Sequence, residues 1–221
     1  MQTKSMLIFA LLAVSCSSGS GDDSGPGPGD GSSGGSSGGS SSGALKIFPD
    51  MLYSGVDSAG GSTTYKVMIS ASGATGVQWS VSDSKTATIT GTDAVATVTA
   101  LKSGSATVKA TAGTMTISVP LTVTAYAAAD LAAGMTAYTT KFTCARSGCH
   151  DAAGPDVGPA DICKHTDAQI LAALASGTNP EGGPISIGAA AHTFAVAAGA
   201  ESRGIVAYMR SLPARPPVDD K

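Results

Sequence analysis

The sequence has 221 residues, of which 42% are hydrophobic and only 13% are charged, and 29 are glycine. This length allows one or two domains, and the many small residues favour β structure and flexible spacers over a single large helical enzyme. The formal net charge of −3 and the lack of a Lys/Arg cluster exclude a protein that binds nucleic acid by neutralising its phosphates.

The N-terminus has the pattern of an export signal. Lys4 gives a positive start, Met6–Val14 is an apolar run of nine residues, and Ser15 and Cys16 follow. Nine helical residues span about 14 Å, less than half of a ~30 Å hydrocarbon core, so this run is too short to cross a membrane. Small residues before the cysteine resemble a bacterial lipobox, which implies a lipoprotein signal peptide over 1–16 with Cys16 lipidated. An ordinary cleavable signal with an incidental cysteine is the alternative.

Residues 17–43 consist almost wholly of Ser, Gly, Asp and Pro. Such a segment cannot bury enough apolar surface to offset the entropy of ordering it, so we expect a disordered linker. Its reach as a coil is about 30 Å. A tether of this kind suits a lipid anchor. Ser17 and Ser18, with no Asp directly after Cys16, resemble lipoproteins sorted to the outer membrane, which implies an exported protein held there and facing the periplasm or the cell surface.

Residues 44–125 carry short β-rich runs separated by Gly, Asp and Ser. Ala106, Val108 and Ala110 alternate with polar residues, which is typical of a half-buried strand. About seven such runs in roughly 80 residues predict an all-β Ig-like sandwich. The predicted strands are Leu45–Phe48, Thr64–Ser70, Val77–Val81, Thr86–Thr90, Ala94–Ala100, Ser105–Thr111 and Thr114–Thr124.

Part of this region resembles a known family. The order Val77-Gln78-Trp79-Ser80-Val81-Ser82-Asp83, followed by Val98–Val108, resembles the bacterial Ig-like domains of group 2. Trp79 shares a strand face with Val77 and Val81, and we expect it to be a core residue rather than a platform for a ligand. The resemblance implies a fold more than an activity. We therefore expect a spacer domain, with an adhesion or binding module as the alternative.

Residues 126–221 change to helical periodicity. A second helix is predicted to begin after Thr166, which forms a capping box with Gln169, and to end at Gly177. A last helix includes Ile205–Leu212. The first predicted helix has one apolar face at steps of three to four residues: Leu131, Met135, Tyr138 and Phe142.

The residues that carry chemistry are concentrated after position 140, where all three histidines and three of the four cysteines lie. Cys144 and Cys149 are separated by four residues, two more than is usual, and His150 follows at once. Two close thiols and an adjacent histidine are typical of c-type haem attachment, because the thiols add to the porphyrin vinyl groups and the imidazole reaches the iron. The sequence therefore predicts one haem c on Cys144 and Cys149, with His150 as the proximal iron ligand.

This segment as a whole resembles a small class I cytochrome c. It has a helix with Gly134 and Tyr138, then the Cys…Cys-His motif, and a terminal helix reading Ile-Val-Ala-Tyr-Met-Arg-Ser-Leu at 205–212. The resemblance implies a small all-α cytochrome c-like domain over 126–221 in which the two terminal helices cross. The chain is then multi-domain, with the Ig-like sandwich before it and the linker at its N-terminal side.

The second axial ligand departs from the family. Cytochromes of this class usually supply a methionine from the loop before the last helix, but no methionine lies between His150 and Tyr208. His192 stands at the corresponding place and is the predicted distal ligand, with His165 as its rival and an open or water-ligated iron as the third possibility. Met209 is expected to pack in the core.

Ligation by two imidazoles implies a lower reduction potential than His/Met ligation, and a six-coordinate iron does not readily bind oxygen or peroxide. We therefore expect electron transfer without catalysis. The implied partners are redox proteins of the cell envelope.

Three alternatives remain at this point. Cys144 and Cys149 could form a disulfide in an exported protein, which would leave a surface Ig-like binding lipoprotein without haem. Zinc could bind Cys144, Cys149, Cys163 and a histidine. A haem with an open iron position would suit an enzyme or a gas sensor. Cys163 has no assigned role; it is either a buried small residue or a site of intermolecular pairing.

Overall fold

The computed structural model describes residues 44–144, 158–187 and 190–215. The first of these ranges begins with eight strands in two four-stranded sheets. The strands are β1 (Lys46–Phe48), β2 (Leu52–Asp57), β3 (Lys66–Ser72), β4 (Gln78–Val81), β5 (Ala87–Thr92), β6 (Val95–Ala100), β7 (Gly104–Ala112) and β8 (Met115–Tyr126).

One sheet has the strand order β1-β3-β6-β5 and the other β2-β8-β7-β4. All pairs are antiparallel except β2 with β8, which run parallel with Leu52 opposite Leu121. Side chains alternate between core and solvent, so that Ala106, Val108 and Ala110 are buried as predicted. This two-sheet arrangement confirms the Ig-like sandwich.

Two features of the sandwich differ from the prediction. Strand β2 was not among the predicted strands, because Ser54 and Gly55 interrupt its apolar pattern, yet both are buried. Trp79 is only partly buried and packs against the edge of the core, with its Nε1 donating a hydrogen bond to the Asp93 carbonyl over 2.9 Å. The expectation of a core tryptophan therefore holds only in part.

The described residues after 126 are mainly helical. Thr166 caps α3 with the capping box predicted from Gln169, and α3 ends at Gly177 in the left-handed conformation. No helix among the described residues is long and apolar enough to cross a membrane. The elements are α1 (Ala128–Thr136), a π-helical turn (Ala137–Lys141), α2 (Pro159–Ile162), α3 (Asp167–Ser176), the antiparallel pair β9 (Ser186–Ile187) and β10 (Ala190–Ala191), and α4 (Ala200–Ser211).

The predicted apolar face of the first helix is wrong at one position. Met135 is 49% exposed, whereas Gly134, Ala137 and Tyr138 are buried. The buried face is set by small residues that allow a close approach to α4, and the π-helical turn changes the periodicity after Thr136.

The helices do not by themselves establish a cytochrome c-like fold, since α2 has only four residues. Several predictions fall outside the described ranges: the signal peptide over 1–16, the linker over 17–43, Cys16, Cys149 and His150.

The helical part is fixed to the sandwich through one buried arginine. Arg210 is 2% exposed and donates hydrogen bonds to the carbonyls of Tyr53 at 2.9 Å, Ile162 at 3.3 Å and His165 at 2.7 Å. Its guanidinium also contacts the Asp167 carboxylate at 2.9 Å. A planar group with five donors suits such a set of acceptors, so α4, the start of α3 and strand β2 are held together at this point.

The contact continues on both sides of Arg210. The amide of Tyr53 donates to the Cys163 carbonyl at 2.6 Å, so the outer edge of β2 is paired with the helical part. The Tyr126 hydroxyl donates to the Asp167 carboxylate at 2.8 Å. Cys163 and Ala207 are fully buried in the same apolar cluster as the sandwich core. The two parts therefore share a core as well as polar contacts.

Candidate functional site

Helices α1 and α4 cross in direct backbone contact. A Cβ atom added to Gly134 would overlap the Gly204 carbonyl, and one added to Gly204 would overlap the Asp130 carbonyl. Arg203 reinforces the crossing with a two-pronged contact to the Asp130 carboxylate, at 2.8 and 3.0 Å. The glycine predicted in the first helix therefore lies where the two helices meet.

A second apolar cluster lies between these helices, α2 and α3. We call it the helical core. The rings of Tyr138 and Tyr208 pack within it with centroids 5.2 Å apart. Its buried members are Ala137, Tyr138, Cys144, Ile162, Ile170, Ile205, Val206 and Met209, with Phe142, Leu171, Leu174, Phe194, Val196, Tyr208 and Leu212 partly buried around them.

Cys144 enters the helical core at the end of the π-helical turn. Its amide donates to the Tyr138 carbonyl at 2.8 Å, and the amide of Phe142 donates to the Ala137 carbonyl at 2.8 Å. Cys144 is 7% exposed. The first cysteine of the predicted haem motif therefore lies three residues after the π-helical turn and is buried in the helical core.

His192 lies on the loop before α4, as predicted, and borders the same core. Its amide donates to the Ile185 carbonyl at 3.2 Å, and the amide of Phe194 donates to the Leu174 carbonyl at 2.8 Å. The His192 ring stands edge-on to Phe194 at 4.5 Å, and its Nδ1 is buried. These backbone bonds join the loop to the end of α3 and to the segment before β9.

An aromatic pair brings the two segments together. The ring of Phe142, two residues before Cys144, packs on the ring of Phe194, two residues after His192, with centroids 5.0 Å apart. The predicted attachment segment and the loop of the predicted distal ligand therefore meet at one edge of the helical core.

His165, the rival ligand, is engaged elsewhere. Its Nε2 lies 3.2 Å from the Glu181 carboxylate, and its carbonyl accepts a hydrogen bond from Arg210. Burial lowers the pKa of His165, although the charge of Glu181 acts in the opposite direction. The His165 ring therefore contacts Glu181, whereas the His192 ring contacts Phe194, which packs against the helical core.

The remaining sulfur groups have structural positions. Cys163 is fully buried in the sandwich cluster, its thiol donates to the Ala160 carbonyl at 3.5 Å, and burial raises its pKa to about 12. It is therefore a buried small residue, one of its two predicted roles. Met209 packs in the helical core, as expected. Cys144 and Cys163 belong to different clusters, which weighs against the zinc alternative.

Part of the predicted haem site lies within the described residues. A thiol (Cys144) and an imidazole (His192) border one apolar cluster, which is the kind of surface that a porphyrin needs. Among residues 44–144, 158–187 and 190–215, no group of three or more His, Cys, Asp or Glu could hold a metal ion. Cys149 and His150, which the motif requires, lie outside these ranges.

Three charged residues that prove important were not singled out from the sequence. Arg210 joins the two parts of the chain, and Lys141 pairs with Glu201 beside the loop of His192. Lys141 and Glu201 are 60 positions apart, so no local pattern connects them.

One family model matches part of the sandwich. The family model "Bacterial Ig-like domain (group 2)" matches residues 58–123. No curated protein matches the chain.

Among solved structures, domains 4 and 5 of the S-layer protein SbsC match with 18% identity and a TM-score of 0.29, over 37% of this chain and 51% of that one. A structure of domains 4–9 of the same surface layer protein matches with 18% identity and a TM-score of 0.31, over 38% of this chain and 14% of that one. The chain thus spans about half the length of the first structure and much less of the second.

Proposed function

We propose that this chain is an extracytoplasmic electron-transfer protein in which an Ig-like domain carries a small helical domain with one covalent haem c. Cys144 and Cys149 would hold the haem, His150 would be the proximal iron ligand and His192 the distal one. The observation that carries the proposal is the contact of Phe142 with Phe194, which brings the segment of Cys144 and the loop of His192 to one edge of the helical core.

A haem with two histidine ligands supplies reversible one-electron chemistry at a lower potential than His/Met ligation. The chain's own residues would exclude water from it through the apolar side chains of the helical core and orient the imidazole of His192 through the backbone bonds of its loop. With both histidines bound to the iron, no site would remain open for a substrate, which would favour electron transfer over catalysis. The partners would then be redox proteins of the cell envelope.

The proposal includes an anchor. Cys16 would carry the lipid, and the Ser/Gly-rich residues 17–43 would hold the folded part away from the outer membrane. The match to bacterial Ig-like domains supports a place outside the cytoplasm.

A second candidate function is a surface Ig-like binding lipoprotein in which Cys144 and Cys149 form a disulfide and no haem is present. The family match favours it, because that match covers the Ig-like region alone. The two candidates differ in one covalent feature, so a single experiment separates them.

The experiment is export of the full chain in a bacterium with a cytochrome c maturation system, followed by intact mass and absorption spectroscopy. The haem proposal expects the mass of one haem that survives acid–acetone extraction, and its loss in a Cys144→Ser, Cys149→Ser variant. A native mass without that increment, with the two sulfurs joined, would reject the haem and leave the binding lipoprotein.

The distal ligand is tested by paired histidine variants. His192→Ala should abolish the low-spin bis-imidazole spectrum, and His192→Met should move it toward that of His/Met ligation. His165→Ala is the matched control and should leave the spectrum unchanged, because the His165 ring contacts Glu181. The opposite pattern would assign the distal position to His165.

A further inference from the structure

An ion pair joins three separate segments beside the loop of His192. Lys141, the last residue of the π-helical turn, lies with its Nζ 2.6 Å from the Oε1 of Glu201 in the first turn of α4. The same Oε1 accepts a hydrogen bond from the amide of Ala197 at 2.8 Å, and the Lys141 ammonium also donates to the Ala195 carbonyl at 3.4 Å. The pair thus holds the loop backbone at two points.

These contacts add to others that hold the same loop. The amides of His192 and Phe194 are already bonded to Ile185 and Leu174. Lys141 and Glu201 add a second attachment, this time to the segment that leads into Cys144. The Lys141 ammonium also lies 4.9 Å from the centre of the Phe142 ring, which packs on the ring of Phe194.

The electrostatics keep the pair formed at neutral pH. The hydrogen bond from Lys141 lowers the pKa of Glu201, with the Ala197 amide as a further cause, so the carboxylate stays ionised. The two side chains are 45% and 23% exposed, so solvent and salt weaken the attraction without removing the hydrogen bonds.

We propose that Lys141 and Glu201 are positioning residues for His192, and that they hold its loop against the segment of Cys144 so that the imidazole stays at the helical core. This inference rests on the proposed function. Neither residue would touch the haem; both would act through the backbone of residues 195–197.

The first test measures the loop itself and needs no haem. Hydrogen exchange of the full chain is followed at residues 192–197 in Lys141→Met, Glu201→Gln and the control Lys109→Met. Lys141→Met should speed exchange about two- to fivefold, the range expected for a partly exposed pair. Glu201→Gln should have a smaller effect, because the amide oxygen still accepts from Ala197.

Lys109 is an exposed lysine on β7 of the sandwich, so Lys109→Met removes the same charge far from the loop and should change nothing there. Equal exchange in Lys141→Met and the control would overturn the proposal. If Lys141→Met loses its structure as a whole, the Glu201→Gln variant provides the test. Exchange at residues 192–197 must then be faster in Glu201→Gln than in the control.

The second test reads the ligand in the haem-loaded protein. Lys141→Met should weaken distal ligation, seen as about two- to fivefold tighter binding of added imidazole to the iron, while the covalent haem and the control variant stay unchanged. Faster loop exchange without any change in imidazole binding would overturn the positioning role while the haem stands. A protein without haem would reject the proposed function instead, and the exchange result would still show whether the pair holds the loop.

Discussion

His165 lies just before α3 with its ring beside the Glu181 carboxylate. Burial lowers its pKa, so the folded protein takes up this proton less readily than the unfolded chain does. The stabilising contribution of the neutral ring is present above the ordinary histidine range, about pH 6.5, and is lost as the pH falls through the lowered value.

We therefore predict that the free energy of unfolding decreases between pH 7.5 and pH 5, and that His165→Gln makes this decrease smaller by about 0.3 to 1 kcal/mol. The magnitude is small because the ring keeps some contact with solvent and Glu181 partly compensates. Urea denaturation at the two pH values measures it, with Lys109→Gln as a control. An unchanged pH slope in His165→Gln would contradict the assignment.

Side-chain contacts could be predicted from the sequence where both partners lie within a few residues of each other. The capping box of Thr166 and Gln169 needs only residues three apart, and the structure confirms it. Arg210 was not predictable as a buried group, because its acceptors lie on β2 and near α3, up to 157 positions away. The environment that makes an arginine tolerable in the interior exists only after the two parts have docked.

At the scale of elements, the crossing of α1 and α4 depends on two glycines. In an exposed helix, Gly→Ala would stabilise by up to about 1 kcal/mol, because alanine has the better helix propensity. At Gly134 the new Cβ would overlap the Gly204 carbonyl, so the helices must separate. We predict that Gly134→Ala destabilises the protein by about 1–3 kcal/mol instead.

Urea denaturation followed by circular dichroism measures this effect. Ala132→Ser, on the exposed side of α1, is the matched control and should stay within about 0.5 kcal/mol of the parent. A Gly134→Ala variant as stable as the control would mean that the helices do not make the backbone contact described above.

The elements also show where sequence patterns fail. Most sandwich strands were predictable, because alternation such as Ala106, Val108 and Ala110 reflects one buried face. Strand β2 was not, since it is covered on its edge by the helical part and buries Ser54 and Gly55 rather than an alternating apolar series. Met135 was misplaced because close helix contact selects small residues, which a search for large apolar side chains passes over.

At the scale of the whole molecule, the Ig-like region and the helical part are packed against each other and are not independent domains joined by a linker. Arg210 bridges them, and Cys163 and Ala207 extend the sandwich core. The Ig-like domain was expected to be a simple spacer. Instead, residues of the helical part are buried against the sandwich. Trp79, the sole tryptophan, reports on the sandwich, whereas circular dichroism at 222 nm reports mainly on the helices.

We predict that the two signals give coincident urea transitions in the parent and separate transitions in Arg210→Met. The variant leaves the carbonyls of Tyr53 and His165 without their donor and removes the cation beside Asp167. Loss of one partner in a buried charged network costs about 3–5 kcal/mol. The helical transition should therefore move to lower urea while the sandwich transition moves less.

Lys109→Met is the control, since Lys109 is an exposed cation on β7 that takes no part in the contacts of Arg210. It should cost no more than about 1 kcal/mol and keep the transitions coincident. Coincident transitions in Arg210→Met would show that the apolar contact alone is sufficient for docking.

The docking of the two parts has a further consequence for the exposed residue between them. Ala127 connects the end of β8 to the start of α1. The hydrogen bonds of Arg210, which join the two parts, do not involve Ala127. A protease that cut the chain there would leave two fragments that still elute as a single particle from a sizing column. The fragments would come apart only in denaturant, so the break would be visible on a denaturing gel and hidden under native conditions.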